Sequence, residues 1–232
     1  MHRRLRSALL TVAFAAGTIV WMQTSCALAA AREKGGPTRI YYVAADEVNW
    51  DYAPSGRDEA MGMDFDPIAK GYADSGPHQM GRLNKKAIYR EYTDATFTKR
   101  KARLPEDEYL GILGPIFQGE VGDTFKVVFK NNATHPFSMH PHGVLYEKDS
   151  EGADYNDSTT GKNQENRCVA SGATHTYTWQ IPERAGPGPI DPSSIFWLYH
   201  SHCDELRDVA SGLFGGFVVT RRSETRCPPQ GC

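Results

Sequence analysis

The sequence predicts an all-β sandwich or barrel. Three features point that way: short runs that alternate apolar and polar residues, turns rich in Gly, Pro and Asn between them, and no segment longer than ten residues with a helical period. Residues 40–45 open the series as an apolar, β-prone run, and residues 51–70 follow as a polar loop. The turn-rich segment 119–123 (GEVGD) leads into the clearest strand. There Phe125, Val127 and Phe129 point one way while Thr124, Lys126 and Lys130 point the other. Residues 174–181 repeat the pattern, with His175, Tyr177, Trp179 and Ile181 on one face. Residues 196–202 and 213–220 supply two further strands. Residues 30–222 contain no internal repeat and no linker, and read as one domain.

The chain has 232 residues, 40% hydrophobic and 23% charged, enough apolar material for a sizeable core. That excludes wholesale disorder and collagen-like or low-complexity chains. A net charge of −2 and a pI near 6.4 give no electrostatic reason to expect a nucleic-acid partner. Residues 1–29 read as a secretory signal peptide: Arg3, Arg4 and Arg6, an apolar run from Ala8 to Met22, then Ala27-Leu28-Ala29 as the small-x-small cleavage signature. The apolar run is 15 residues long, whereas a span needs about 20. A lipoprotein signal at Cys26 lacks the usual aliphatic residue before it. The mature chain is therefore expected to be secreted or periplasmic, with no membrane span. Cleavage removes three arginines and no acid, taking the net charge to −5. It also removes Cys26, leaving Cys168, Cys203, Cys227 and Cys232, with residues 223–232 as a Cys/Pro/Gly-rich tail. Four cysteines in an exported chain predict one or two disulfides; three full pairings exist, including Cys227 with Cys232.

Histidines carry the chemistry. Four of the eight sit in two His-x-His pairs, His140-Pro141-His142 and His200-Ser201-His202. Side chains at i and i+2 on a strand share a face, with Cα atoms about 6.5 Å apart. Two imidazoles so placed can hold one metal or two adjacent ones, since each metal–nitrogen bond is about 2 Å. Imidazole suits copper, zinc, iron and nickel alike, so ligand type does not name the metal. Gly143 would let the backbone turn tightly after the first pair. His175, on an apolar strand face, reads as core packing, and His78 and His135 as loop residues.

The residues also carry a resemblance. Residues 40–54 (IYYVAADEVNWDYAP), 81–89 (GRLNKKAIY) and 110–115 (LGILGP) resemble the ceruloplasmin-type A domain, and so do the two regions HPHG and YHSH. The similarity runs from about residue 39 to residue 220. That family comprises ceruloplasmin, hephaestin and coagulation factors five and eight, within the multicopper oxidases. It implies a cupredoxin-like Greek-key β-sandwich of the N-terminal kind. By resemblance, His140 corresponds to a type 2 copper ligand, and His142, His200 and His202 to type 3 ligands. These are half of an eight-histidine trinuclear site, whose other half comes in the family from a C-terminal domain. The implied partner is a second copy or a separate cupredoxin chain. A type 1 copper needs two His, a Cys and usually a Met, yet no His follows His202 and no Met follows Met139. Cys203 is therefore expected to be a disulfide partner or a buried thiol.

Glu151 and Asp154 lie near the first pair in sequence and are candidate proton-relay carboxylates for dioxygen reduction; a solvated loop is the plainer reading of the segment. The same region resembles a calcium site in the family, but Asn166 and Arg167 stand where paired aspartates are expected, which puts calcium in doubt. Two functions follow. One is an oxidase component, passing electrons from Fe(II), Cu(I) or a phenol to dioxygen in an assembly. The other is a non-catalytic extracytoplasmic copper carrier, which needs only the four histidines.

Overall fold

A computed structural model describes residues 35–222. They fall almost wholly within the second of the chain's two compact units, residues 36–232. The signal segment 1–29 and the tail 223–232, with Cys227 and Cys232, lie outside the described residues.

Ten strands and two short helices follow one another. Strand β1 spans Thr38–Asp51; helix α1, Pro67–Ala73; the small hairpin β2 and β3, Ser75–Gly76 and Gln79–Met80; β4, Leu83–Tyr92; β5, Ile116–Glu120; and β6, Thr124–Asn131. Then come β7, His140–Pro141; β8, Thr174–Gln180; β9, Ser194–His200; α2, Glu205–Ser211; and β10, Phe214–Thr220. Two four-stranded sheets form, in the orders β4-β1-β6-β8 and β5-β10-β9-β7. Strand β1 runs parallel to β6, and β10 parallel to β5, while the remaining pairs are antiparallel. The architecture is the β-sandwich that the alternation predicts, with the cupredoxin-like Greek-key form that the resemblance implies.

Alternation builds its core. Phe125, Val127 and Phe129 of β6 and Tyr177 and Trp179 of β8 are fully buried, and meet Phe117, Tyr199, Phe217 and Val219 of the facing sheet. Phe117 stacks on Tyr199 with ring centroids 4.8 Å apart, and Phe125 meets Phe217 edge-on at 5.6 Å. Each such side chain contributes about 1.5–3 kcal/mol through burial. His175 keeps to the Tyr177 face, with ring centroids 4.7 Å apart. It is only half-buried, because it lies at the open end of β8, and its Nε2 bonds the Asp149 carbonyl at 2.8 Å.

Three boundaries differ from the sequence reading. The opening strand continues to Asp51, because β4 pairs with it as far as Leu83. The polar loop 51–70 gives way to α1 at Pro67, where Asp66 caps the helix by accepting a hydrogen bond from the Ala69 N–H. The strand expected over 196–202 runs over Ser194–His200, so His202 lies just beyond it. Among the described residues, no helix is long and apolar enough to cross a membrane.

Candidate metal centre

The register of β7 and β9 brings the two His-x-His pairs together. His140 lies directly opposite His200, and Pro141 opposite Tyr199. Directly opposed residues share a face, so His140 and His200 stand on the same side of the sheet. Their i+2 neighbours His142 and His202 follow them there. The intervening positions point the other way, and Met139 and Tyr199 are fully buried in the core. Alternation thus divides one segment between core packing and an imidazole cluster on the outer face.

Four rings result. The centroid of His140 is 5.3 Å from that of His142, 5.7 Å from His200 and 5.2 Å from His202. His142 and His200 are 5.1 Å apart, and His200 and His202 5.7 Å. The Nε2 atoms of His142 and His200 approach to 2.9 Å. Two ligands at right angles on a metal with ~2.0 Å bonds lie about 2.8 Å apart. This separation therefore suits two cis imidazoles on one tetragonal ion. Among the described residues, no group of three or more His, Cys, Asp and Glu side chains is placed to hold an ion by itself.

Outer hydrogen bonds set the tautomers. Nδ1 of His140 lies 2.7 Å from the Glu151 carbonyl, and Nδ1 of His200 lies 3.0 Å from the Ser201 carbonyl. A ring that donates through Nδ1 leaves Nε2 as the free lone pair. Burial pushes His140 down to about 4, the Glu151 carbonyl opposing it and the other rings adding to it. Burial also lowers His142, with His200 the next cause. Both are neutral at pH 7, the state that a metal requires. The donor set therefore fits copper.

Beneath the rings, Ser201 Oγ donates to the fully buried Asp208 at 2.7 Å and accepts from the Ser138 N–H at 3.1 Å. Ser138 Oγ accepts from the His202 N–H at 3.0 Å. Gly143 has φ +75°, and a Cβ there would meet the Trp197 ring at 2.3 Å. It thus serves the turn, as expected, but makes room for an indole rather than for the cluster.

The loop carrying Glu151 and Asp154 lies beside His140. Glu151 reaches the ring through its backbone carbonyl, while its carboxylate pairs with Lys148. Asp154 pairs with Arg167 at 3.1 Å and is 57% exposed. Lys148 also pairs with Asp157 at 2.6 Å and, with Thr159 and Arg167, holds that carboxyl well below its ordinary range. The Asn166 amide donates to the carbonyls of Lys148, at 3.0 Å, and Asn163, at 2.7 Å, and accepts from the Gly152 N–H at 2.7 Å. An N–H donor and a guanidinium thus occupy the oxygens that a hard cation would use, and the loop does not fit calcium. A Cβ on Gly152 (φ +69°) would lie 1.9 Å from the Met139 carbonyl oxygen, so only glycine lets the loop approach β7 this closely. Cys203 is joined to Cys168 in a disulfide, with Cα atoms 5.5 Å apart.

Comparison with known proteins decides the family. The family model for multicopper oxidases matches residues 107–224, just over half of the chain. The chain belongs to the multicopper oxidase family. It is 42% identical over 189 residues to ferroxidase HEPHL1 of Mus musculus, covering 81% of this chain and 16% of that protein. It is 42% identical over 199 residues to hephaestin of Homo sapiens, covering 84% and 17%. To ceruloplasmin of Ovis aries it is 40% identical over 190 residues, covering 81% and 18%. The chain thus spans about a sixth of the length of these curated relatives. A solved multicopper oxidase structure is 23% identical, covering 82% of this chain and 45% of that one, at a TM-score of 0.45.

One neighbour of the four imidazoles escapes sequence reasoning. Glu205, the first residue of α2, places Oε1 3.9 Å from Nε2 of His200 and Oε2 3.7 Å from Nε2 of His202. In sequence it resembles any other acidic residue.

Proposed function

We propose that this chain is an extracytoplasmic copper-binding module of a multicopper oxidase. It supplies half of a trinuclear site that another subunit completes, for oxidation of Fe(II), Cu(I) or a phenol with reduction of dioxygen. The observation that carries this reading is the set of four imidazoles on one sheet face, with two ring nitrogens 2.9 Å apart. His140 would serve the type 2 position, and His142, His200 and His202 the type 3 positions. Bound there, copper would supply the electron-accepting chemistry by which dioxygen is reduced. The chain's own residues aim the donors: the Glu151 carbonyl fixes His140, and the Ser138–Ser201–Asp208 network holds the backbone of the second pair. Asp154 keeps part of its carboxylate in water, and its neighbour Ala153 bridges to His202, which makes it the relay candidate of its loop.

Completion by another chain has support beside the cluster. Phe196 and Leu198 share the outward face of β9 with His200 and are 52% and 49% exposed. Exposed apolar side chains bordering an incomplete site are what a partner subunit would cover. A second copy, or a separate cupredoxin chain bearing a type 1 copper, fills that place. The leader pattern and the Cys168–Cys203 disulfide support export. The test is oxygen uptake by copper-loaded protein, alone and with candidate partner chains, supplied with Fe(II), Cu(I) or a phenol. Uptake by an assembly that vanishes in His200→Ala is expected. Copper binding without uptake in any combination would instead make the chain a copper carrier.

A further inference from the structure

The side of the half-site facing α2 presents a carboxylate that no cation neutralises. Glu205 is 54% exposed and sets its two oxygens against two different rings, at 3.9 Å from His200 Nε2 and 3.7 Å from His202 Nε2. The guanidinium on the same helix is committed elsewhere: Arg207 pairs with Asp204 at 3.5 Å and with the buried Asp208 at 2.8 Å. No lysine or arginine among the described residues forms an ion pair with Glu205. A metal with bonds of about 2.0–2.2 Å holds two donors roughly 2.8 Å apart when they are cis and roughly 4.2 Å apart when trans. Both carboxylate–imidazole separations fall within that window, as does the 2.9 Å between His142 and His200.

We infer that Glu205 is a fifth donor of the half-site, a carboxylate that shares a copper position with His202 and reaches across toward that of His142 and His200. This inference rests on the four histidines binding copper. It gives the His202 position a second donor from this chain, where the imidazoles alone offer one. It also adds negative charge where more than one cation would gather. A lone chain would then retain copper before any partner arrives.

The test is copper(II) titration of the full mature chain against a competing chelator, with an EPR spectrum for each form. Glu205→Gln is expected to weaken binding tenfold or more, the lower end of the ~10–100-fold range seen when groups supporting a metal site are lost, and to change the copper hyperfine splitting. Glu205→Asp keeps the charge but is one methylene shorter, and is expected to fall with Glu205→Gln. His200→Ala, the control for the underlying reading, loses binding. A loss smaller than tenfold in Glu205→Gln, or wild-type affinity in Glu205→Asp, would overturn ligation by Glu205, while a weakened His200→Ala would leave the four-histidine reading standing. If His200→Ala also binds like wild type, both fall. Glu205 is exposed, so matching melting curves establish that each Glu205 variant is folded.

Discussion

The loop of residues 147–157 and helix α2 flank the same four imidazoles and use their acids in opposite ways. On the loop, Glu151 and Asp154 are tied to Lys148 and Arg167, and what reaches His140 is a backbone carbonyl. On the helix, Glu205 has no cationic partner among the described residues and turns both oxygens toward ring nitrogens. A carboxylate paired with a cation is held back from a metal, whereas an unneutralised one beside lone pairs can ligate it. Nearness in sequence to a His-x-His pair does not decide between the two roles; the neighbouring charges do. The loop flank should therefore govern stability and the helix flank copper affinity.

The largest expected effect comes from uncoupling the flanks. The Cys168–Cys203 disulfide joins the residue after Arg167, the loop's cationic partner, to the residue after His202, at a sequence separation of 35. Replacing both cysteines by serine should cost about 4 kcal/mol on the chain-entropy estimate, measured by chemical denaturation as a lower midpoint with a steeper slope, because the unfolded chain expands. The next effect is pH-dependent and belongs to the metal-free protein. His140 has its folded value at about 4, below its ordinary 6.5. Between those values the unfolded chain takes up a proton that the folded chain does not. Stability is therefore complete above pH 6.5 and declines as the pH falls toward 4, by roughly 2–3 kcal/mol. Denaturant midpoints at pH 7 and pH 4.5 measure the decline, which His140→Gln should reduce. Third, Arg167→Ala strips the guanidinium from Asp154, Asp157 and the Tyr155 carbonyl. It should cost about 2 kcal/mol in chemical unfolding. Smallest is Glu205→Gln, which should change stability by under about 0.5 kcal/mol. A larger stability loss there would erase the contrast between the flanks.

Much of this was legible beforehand, for particular reasons. Alternation in residues 124–130 and 174–181 named the core faces because each of those strands buries one side. The i, i+2 spacing named all four histidines because a pleat puts such pairs on one face. The register that sets His140 opposite His200 could not be read, since it joins segments 60 positions apart through long-range pairing. Glu205 was missed because the sequence gives no sign of the helix that begins there, and only the fold turns its carboxylate toward the rings. Asp208 carried no signal in the sequence, and the fold buries it fully beneath the second pair. Helix α1 had a readable signal in Asp66-Pro67, an N-cap followed by proline, within a segment whose polar composition suggested only loop.

The most direct test of the proposed half-site is copper per chain, by elemental analysis of the copper-reconstituted mature protein separated by size, in wild type and His200→Ala. Three coppers shared by a symmetric pair would give about 1.5 per chain on a two-chain species, and His200→Ala should fall well below it. A wild-type chain carrying no more copper than His200→Ala would contradict the assignment of these four imidazoles as copper ligands.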